Sequence, residues 1–130
     1  MNFEPLLSAA WQVRENAHAP YSRFSVGAAL LAEDGRIFTG CNVENLSFGL
    51  TVCAERAAVF AAVAAGAKRF RALAVVSDSR EPVSPCGACR QVLAEFCEEL
   101  LIRTTNLQGE EFEACLSVLL PRARAGILGA

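Results

Sequence analysis

Cys86 and Cys89 stand three positions apart in Pro85-Cys86-Gly87-Ala88-Cys89, at the start of a segment that reads as a helix. At that spacing both thiols fall on one face of the first turn, close enough to share a metal ion. Gly87 between them leaves the backbone near that ion uncrowded. A third thiol, Cys53, falls in the first turn of another helical segment. Helix N-termini stabilise thiolates through their unpaired N–H groups and the positive end of the dipole. Two helix starts converging on one cation thus bring three sulfur ligands, not four. Zinc held by three protein ligands keeps an open position for water, the arrangement of catalytic rather than structural sites.

A Cys-x-x-Cys pair alone also reads as a redox couple of the thioredoxin kind. The surroundings of Cys53 decide against it. From Val52 to Ala67 the only charged side chains are Glu55 and Arg56, beside Cys53 in an otherwise apolar stretch. A helix apolar on all sides is a buried helix. A carboxylate there costs several kcal/mol unless it is paired or has a task. The bland account is that Glu55 complements the helix dipole. With three cysteines in register, general acid/base work beside a metal is the stronger one. Three thiolates on Zn2+ leave one net negative charge, which opposes acidification of a bound water. The two helix ends offset part of it, and Arg56 is placed to offset more by donating to a thiolate.

The elements that must hold these residues follow from periodicity. Leu6, Leu7, Ala10, Trp11, Val13, Arg14 and Ala17 carry helical spacing, and His18-Ala19-Pro20 ends that helix. Phe24 to Ala32 and Arg36 to Val43 read as a hairpin turning at Glu33-Asp34-Gly35. A helix follows over 52–67 with Thr51 as N-cap, then a buried strand over 70–78. Pro82 and Pro85 mark a loop, and Cys86 opens a helix to about Glu99. A short strand over 100–104, a turn at Gln108-Gly109, a strand over 111–115 and a helical turn over 117–120 complete the chain. That order points to an α/β fold, a mixed sheet covered by helices on both faces.

With 130 residues the chain is one domain. Apolar residues make up 53% and charged residues 20%, which excludes disorder. The net charge of −2 lacks the basic footprint of a nucleic-acid binder. The longest run without a polar side chain, Ala57 to Ala67, is too short to span a membrane. No signal-peptide pattern precedes Arg14, so a cytoplasmic, reducing location is expected, and six cysteines there suggest metal or catalysis rather than disulfides. The apolar excess for so small a domain suggests a large subunit interface.

Cys53-Ala54-Glu55-Arg56 followed by Pro85-Cys86-Gly87-Ala88-Cys89-Arg90-Gln91 resembles the zinc-dependent cytidine deaminases of the short, three-cysteine type. Pro20 to Phe24, Val26-Gly27-Ala28, Gly40 to Asn45 and Leu119-Leu120-Pro121 extend the likeness across about 20–121. The resemblance implies a three-layer α/β/α sandwich around a five-stranded mixed sheet, with one zinc per subunit on Cys53, Cys86 and Cys89. It implies hydrolysis of cytidine or deoxycytidine to the uridine and ammonia. A zinc-activated water would attack C4 of the base, and Glu55 would protonate N3 and later the leaving amine. Asn42 and Glu44 would hydrogen-bond the ribose 3′ hydroxyl, and Phe24 would pack against the base. It also implies a homotetramer whose subunits share active sites. One departure stands out: where members often carry an aromatic that a neighbouring subunit lays on the base, this chain has Arg124.

Other readings remain open at this stage. A structural zinc module would need a fourth ligand, Cys41 first. A deaminase of a cytosine-containing nucleoside antibiotic would share the zinc motifs, and deamination within a nucleic acid suits the charge poorly. Cys41, Cys97 and Cys115 read as small buried hydrophobes. His18 reads as a favourable partner for a helix C-terminus, and Arg90 as a surface or interface salt bridge.

Overall fold

A computed structural model describes residues 1–126 and Leu128. The elements run α1 (Glu4–Arg14), β1 (Val26–Ala32), β2 (Ile37–Cys41), a 3₁₀ turn (Phe48–Leu50), α2 (Ala54–Ala64), β3 (Phe70–Ser77), α3 (Gly87–Phe96), β4 (Leu101–Asn106), β5 (Glu111–Cys115) and α4 (Leu116–Leu119). The five strands form one sheet in the order β2-β1-β3-β4-β5. Only β3 and β4 are parallel, as they must be when a helix connects them; the remaining pairs are antiparallel. The expected mixed sheet and element order are both present.

Alternation along the strands builds two cores. On one face Ala28, Leu30, Leu73, Val75 and Ile102 pack against Ala58 and Ala62 of α2, Leu93 of α3 and Leu116 of α4. On the other, Ala29, Ala72, Ala74 and Val76 meet Phe3, Leu6 and Ala10 of α1 and its entry. Helices therefore cover both faces, which makes the three-layer sandwich. Small residues at the sheet centre let the helix backbones approach closely. A β-carbon on Gly40 of β2 would fall on the Ala54 carbonyl oxygen and the Ala58 amide of α2. That contact seats the start of α2, and hence Cys53, against the sheet. Among the described residues no helix is long and apolar enough to cross a membrane.

Several element ends differ from expectation. The first helix stops at Arg14, short of His18, because His18 pairs instead through an isolated bridge with Val43. Its amide donates to the Asn42 carbonyl and its carbonyl accepts from Glu44. His18 therefore has no role at that helix terminus. The second helix begins at Ala54 with Cys53 as N-cap, not Thr51. Val52 is held extended by mutual bonds with Val43, and the Thr51 hydroxyl accepts from the Asn45 amide. In each case a tertiary pairing overrides local helix preference.

Replacing Gly40 with alanine forces backbone against backbone, which no side-chain rotation relieves. The expected loss is about 3 kcal/mol or more, at or beyond the upper range for overpacking. Denaturant unfolding of Gly40→Ala beside the parent measures it, and an unchanged midpoint would refute the tight seat.

Candidate metal centre and active site

Two helix starts lie side by side, and each carries a cysteine as its N-cap. Cys53 (φ −71°, ψ 155°) caps α2 and Cys86 (φ −66°, ψ 169°) caps α3. Their carbonyls accept the first helical bonds, from Ala57 and Arg90. Neither side chain caps its own helix, so both sulfurs are free for another partner. Cys89, in the first turn of α3, adds the third sulfur from a buried position. Cys86 and Cys89 sulfurs stand 3.4 Å apart, Cys53 and Cys86 3.9 Å, and all three lie within 4.8 Å of one another. Three thiolates on a tetrahedral zinc with bonds of about 2.3 Å would sit about 3.8 Å apart. The residues fit the ion. Cys41 is not in this cluster, so the fourth ligand that a closed structural site needs is absent among the described residues.

The electrostatics suit a cation. The neighbouring Cys89 thiol and then the Arg56 guanidinium, whose Nη2 donates to Cys53 Sγ at 3.4 Å, bring the Cys53 thiol down to about 5. Cys89, the buried partner in that contact, is pushed upward. Arg56 does make the thiolate contact expected of it, and that thiolate raises its own pKa. A divalent metal ion binds the thiolates in place of the thiol protons.

Glu55 lies in the first turn of α2, two residues from Cys53, and is 5% exposed. Burial, then the nearby Cys53 thiolate, push its carboxyl up to about 7. That is a bias of about 3 kcal/mol toward the neutral acid. None of the ion pairs among the described residues involves it. A buried carboxyl poised near neutrality beside an open metal position is suited to passing protons.

Asn42 and Glu44 are placed beside the start of α2 by the Val43–Val52 bridge, and Asn42 in turn holds the Phe24 carbonyl. The antiparallel register of the bridge sets Asn42 opposite Cys53 and Glu44 opposite Thr51. Asn42 is buried; its Oδ1 accepts from the Val26 amide at 2.9 Å and its Nδ2 donates to the Phe24 carbonyl at 2.7 Å. One amide hydrogen and one lone pair remain for another partner. Glu44 accepts from the Tyr21 and Ser22 amides and the Ser22 hydroxyl, and that hydroxyl holds its carboxylate below the usual range. Tyr21, Ser22, Glu44, Phe48 and Thr51 line a cleft of about 400 Å³. Phe24 is partly exposed and follows Arg23, a non-glycine residue held at φ 59°.

Sequence reasoning missed Tyr21 and Ser22 as the anchors of Glu44, because their spacing of more than 20 residues leaves no local signal. Arg90, expected in a surface or interface salt bridge, makes no ion pair among the described residues of this chain and binds Ser84, Pro85 and Leu119. Arg124 sits exposed in the turns after α4, lining a cleft with Glu95 and Glu98. Those residues mark the C-terminal end of α3, about 15 Å from its cysteine end for a helix of this length. Cys41, Cys97 and Cys115 are half-buried rather than buried, since the strand and helix ends they occupy are only partly covered. Burial still pushes the Cys97 thiol up to about 11.

Three thiols clustered to hold one metal ion at two helix starts, with a buried carboxyl two residues from one of them, fit a metalloenzyme centre. Residues 2–104 match the family described as the cytidine and deoxycytidylate deaminase zinc-binding region. The chain is 54% identical to the cytidine deaminase of Sporosarcina psychrophila over 124 residues, 95% of this chain and 91% of that protein. It is 52% identical to that of Halalkalibacterium halodurans over 124 residues, 95% and 94% of the two chains. The crystal structure of cytidine deaminase from Burkholderia pseudomallei superposes with a TM-score of 0.89 at 50% identity, covering 93% of this chain and 98% of that one. The chain belongs to the cytidine and deoxycytidylate deaminase family.

Metal analysis checks the ligand set. Zinc is expected at one per chain in the parent and in Cys41→Ala, and near zero in Cys86→Ala. Because the ligands must be deprotonated, affinity should fall as pH is lowered from 8 toward 5. A Cys41→Ala variant that loses its zinc would restore the closed-site reading.

Proposed function

We propose that this chain is a cytidine deaminase, hydrolysing cytidine and deoxycytidine to uridine and deoxyuridine with release of ammonia. The observation that carries the reading is the buried Glu55 carboxyl two residues from one of three clustered thiols. The identity of about half the chain to proteins named cytidine deaminase supports the substrate. Cys53, Cys86 and Cys89 would hold the zinc, which when bound would supply an acidified water for attack on C4 of the base.

Glu55 takes one proton from the attacking water and delivers it to N3; it then takes the remaining hydroxyl proton at C4 and passes it to the amine, so the C4–N bond breaks and ammonia leaves as the C4 carbonyl forms. A carboxyl near 7 is matched to both directions of transfer at neutral pH. Arg56 keeps part of the sulfur charge off the centre through its bond to Cys53. Glu44, ionised and with lone pairs to spare, accepts the ribose hydroxyl, and the remaining Nδ2 hydrogen of Asn42 donates to it. Hydrogen-bonding groups of this kind reject ligands lacking the hydroxyl. Phe24, whose carbonyl Asn42 holds, packs against the pyrimidine.

The whole chain acts as one catalytic domain, and four copies assemble. Leu46, Phe48, Leu50 and Phe60 are 79%, 73%, 66% and 53% exposed along one stretch of loop and α2, an apolar surface suited to neighbouring subunits. Thiolate ligands and the small-nucleoside substrate suit a reducing cytoplasm and a role in pyrimidine salvage, with neither nucleic acid nor membrane as partner.

Ultraviolet-monitored turnover of cytidine and deoxycytidine by the zinc-loaded protein tests the reading. Glu55→Ala should lose roughly 10²- to 10⁴-fold in kcat while keeping its zinc. Asn42→Ala and Glu44→Gln should act mainly on KM. A folded, zinc-replete parent that turns over neither nucleoside would refute the assignment, and light scattering that gives a monomer would refute the assembly.

A further inference from the structure

Cys86 is the exposed member of the thiol cluster; Cys89 is buried and Cys53 half-buried. Packing therefore restrains Cys86 least, and its placement depends on the loop that leads into it. Arg90, one residue beyond Cys89, grips that loop. Its Nε donates to the Pro85 carbonyl at 2.7 Å and its Nη2 to Ser84 Oγ at 2.9 Å. Its Nη1 reaches across to the Leu119 carbonyl, the last residue of α4, at 2.8 Å. The Arg90 amide meanwhile donates to the Cys86 carbonyl at 3.0 Å. One residue thus bonds to the peptide groups on both sides of the Cys86 α-carbon.

We propose that Arg90 is a positioning residue for the metal centre, fixing Cys86 through the Ser84–Pro85 loop and tying that loop to the C-terminal end of α4. The Pro85 carbonyl belongs to the peptide plane from which the Cys86 chain departs, so aiming it aims the thiol. Three acceptors in three directions match the planar five-donor fork of a guanidinium; a lysine ammonium lacks that fork. The three bonds join residues 84–85, 90 and 119, so the last helix is coupled through Arg90 to the loop that carries Cys86.

The inference rests on the metal site but on no particular substrate, so its test uses none. The parent, Arg90→Lys and Ser84→Ala are loaded with Co2+ and with Zn2+. Absorption of the cobalt–thiolate centre reports ligand geometry, and zinc transfer to a chromophoric chelator reports release. Arg90→Lys should release zinc about 10- to 100-fold faster, the usual cost of removing an outer partner of a metal ligand, with an altered cobalt spectrum. Ser84→Ala, which removes one neutral bond, should release it about fivefold faster. Release within twofold of the parent and an unchanged spectrum in folded Arg90→Lys would overturn the proposal. So would an equal loss of thermal stability with and without metal, which assigns Arg90 to the fold alone. Should Arg90→Lys fail to fold, Ser84→Ala decides: faster release sustains the role and unchanged release ends it. A parent that takes up neither ion refutes the metal site itself, a separate failure.

Discussion

Three sulfurs from two helices must come within 4.8 Å of one another, and they do so where two helix N-termini, with their positive potential, lie side by side. Cys53 and Cys86 occupy N-cap positions where serine or aspartate would ordinarily bond back to the helix. Their sulfurs do not, so the orphan amides of both first turns face the region where thiolate charge accumulates. Most of the remaining architecture serves to make those two starts adjacent. Gly40 lets α2 settle onto β2, and the parallel pairing of β3 with β4 returns the chain through α3 to the same sheet. The loop before Cys86 is then pinned by Arg90.

The same arrangement accounts for the behaviour of the charged groups. Glu55 is isolated in an apolar helix, so burial raises its carboxyl toward neutrality. Arg56, one position further on, faces the Cys53 sulfur instead of neutralising Glu55 in an ion pair. Adjacent residues on one turn thereby meet opposite surroundings, Arg56 bonded to the Cys53 sulfur and Glu55 buried without an ion-pair partner among the described residues. Glu44 lies in a different setting, where the Ser22 hydroxyl and two backbone amides keep it ionised. Two carboxyl groups of the same type are separated in function by burial and by donors.

Much of the fold was legible locally. Period-two and period-3.6 patterns located the five strands and all four α-helices, and β5 lies where the pattern placed it. Ends were less legible wherever a distant partner intervened: His18 and Val52 leave helical geometry because both pair with Val43. The half-exposure of Cys41, Cys97 and Cys115 was likewise hidden, since composition says what a side chain prefers and not how fully an element end is covered.

Within the site, the sequence by itself determined the chemistry. Cysteines at i and i+3, a third at another helix start, and a lone Glu-Arg pair in an alanine-rich helix point to three thiols gathered beside a buried carboxyl, because those signals are local or compositional. Tertiary structure alone decided which distant groups hold Asn42, Glu44 and Arg90 in place. Asn42 stands opposite Cys53 through a single bridge, Glu44 depends on Tyr21 and Ser22, and Arg90 reaches Leu119 across 29 positions. Hydrogen bonds between residues far apart in the chain leave no periodic or compositional trace, so only folding brings their partners into view.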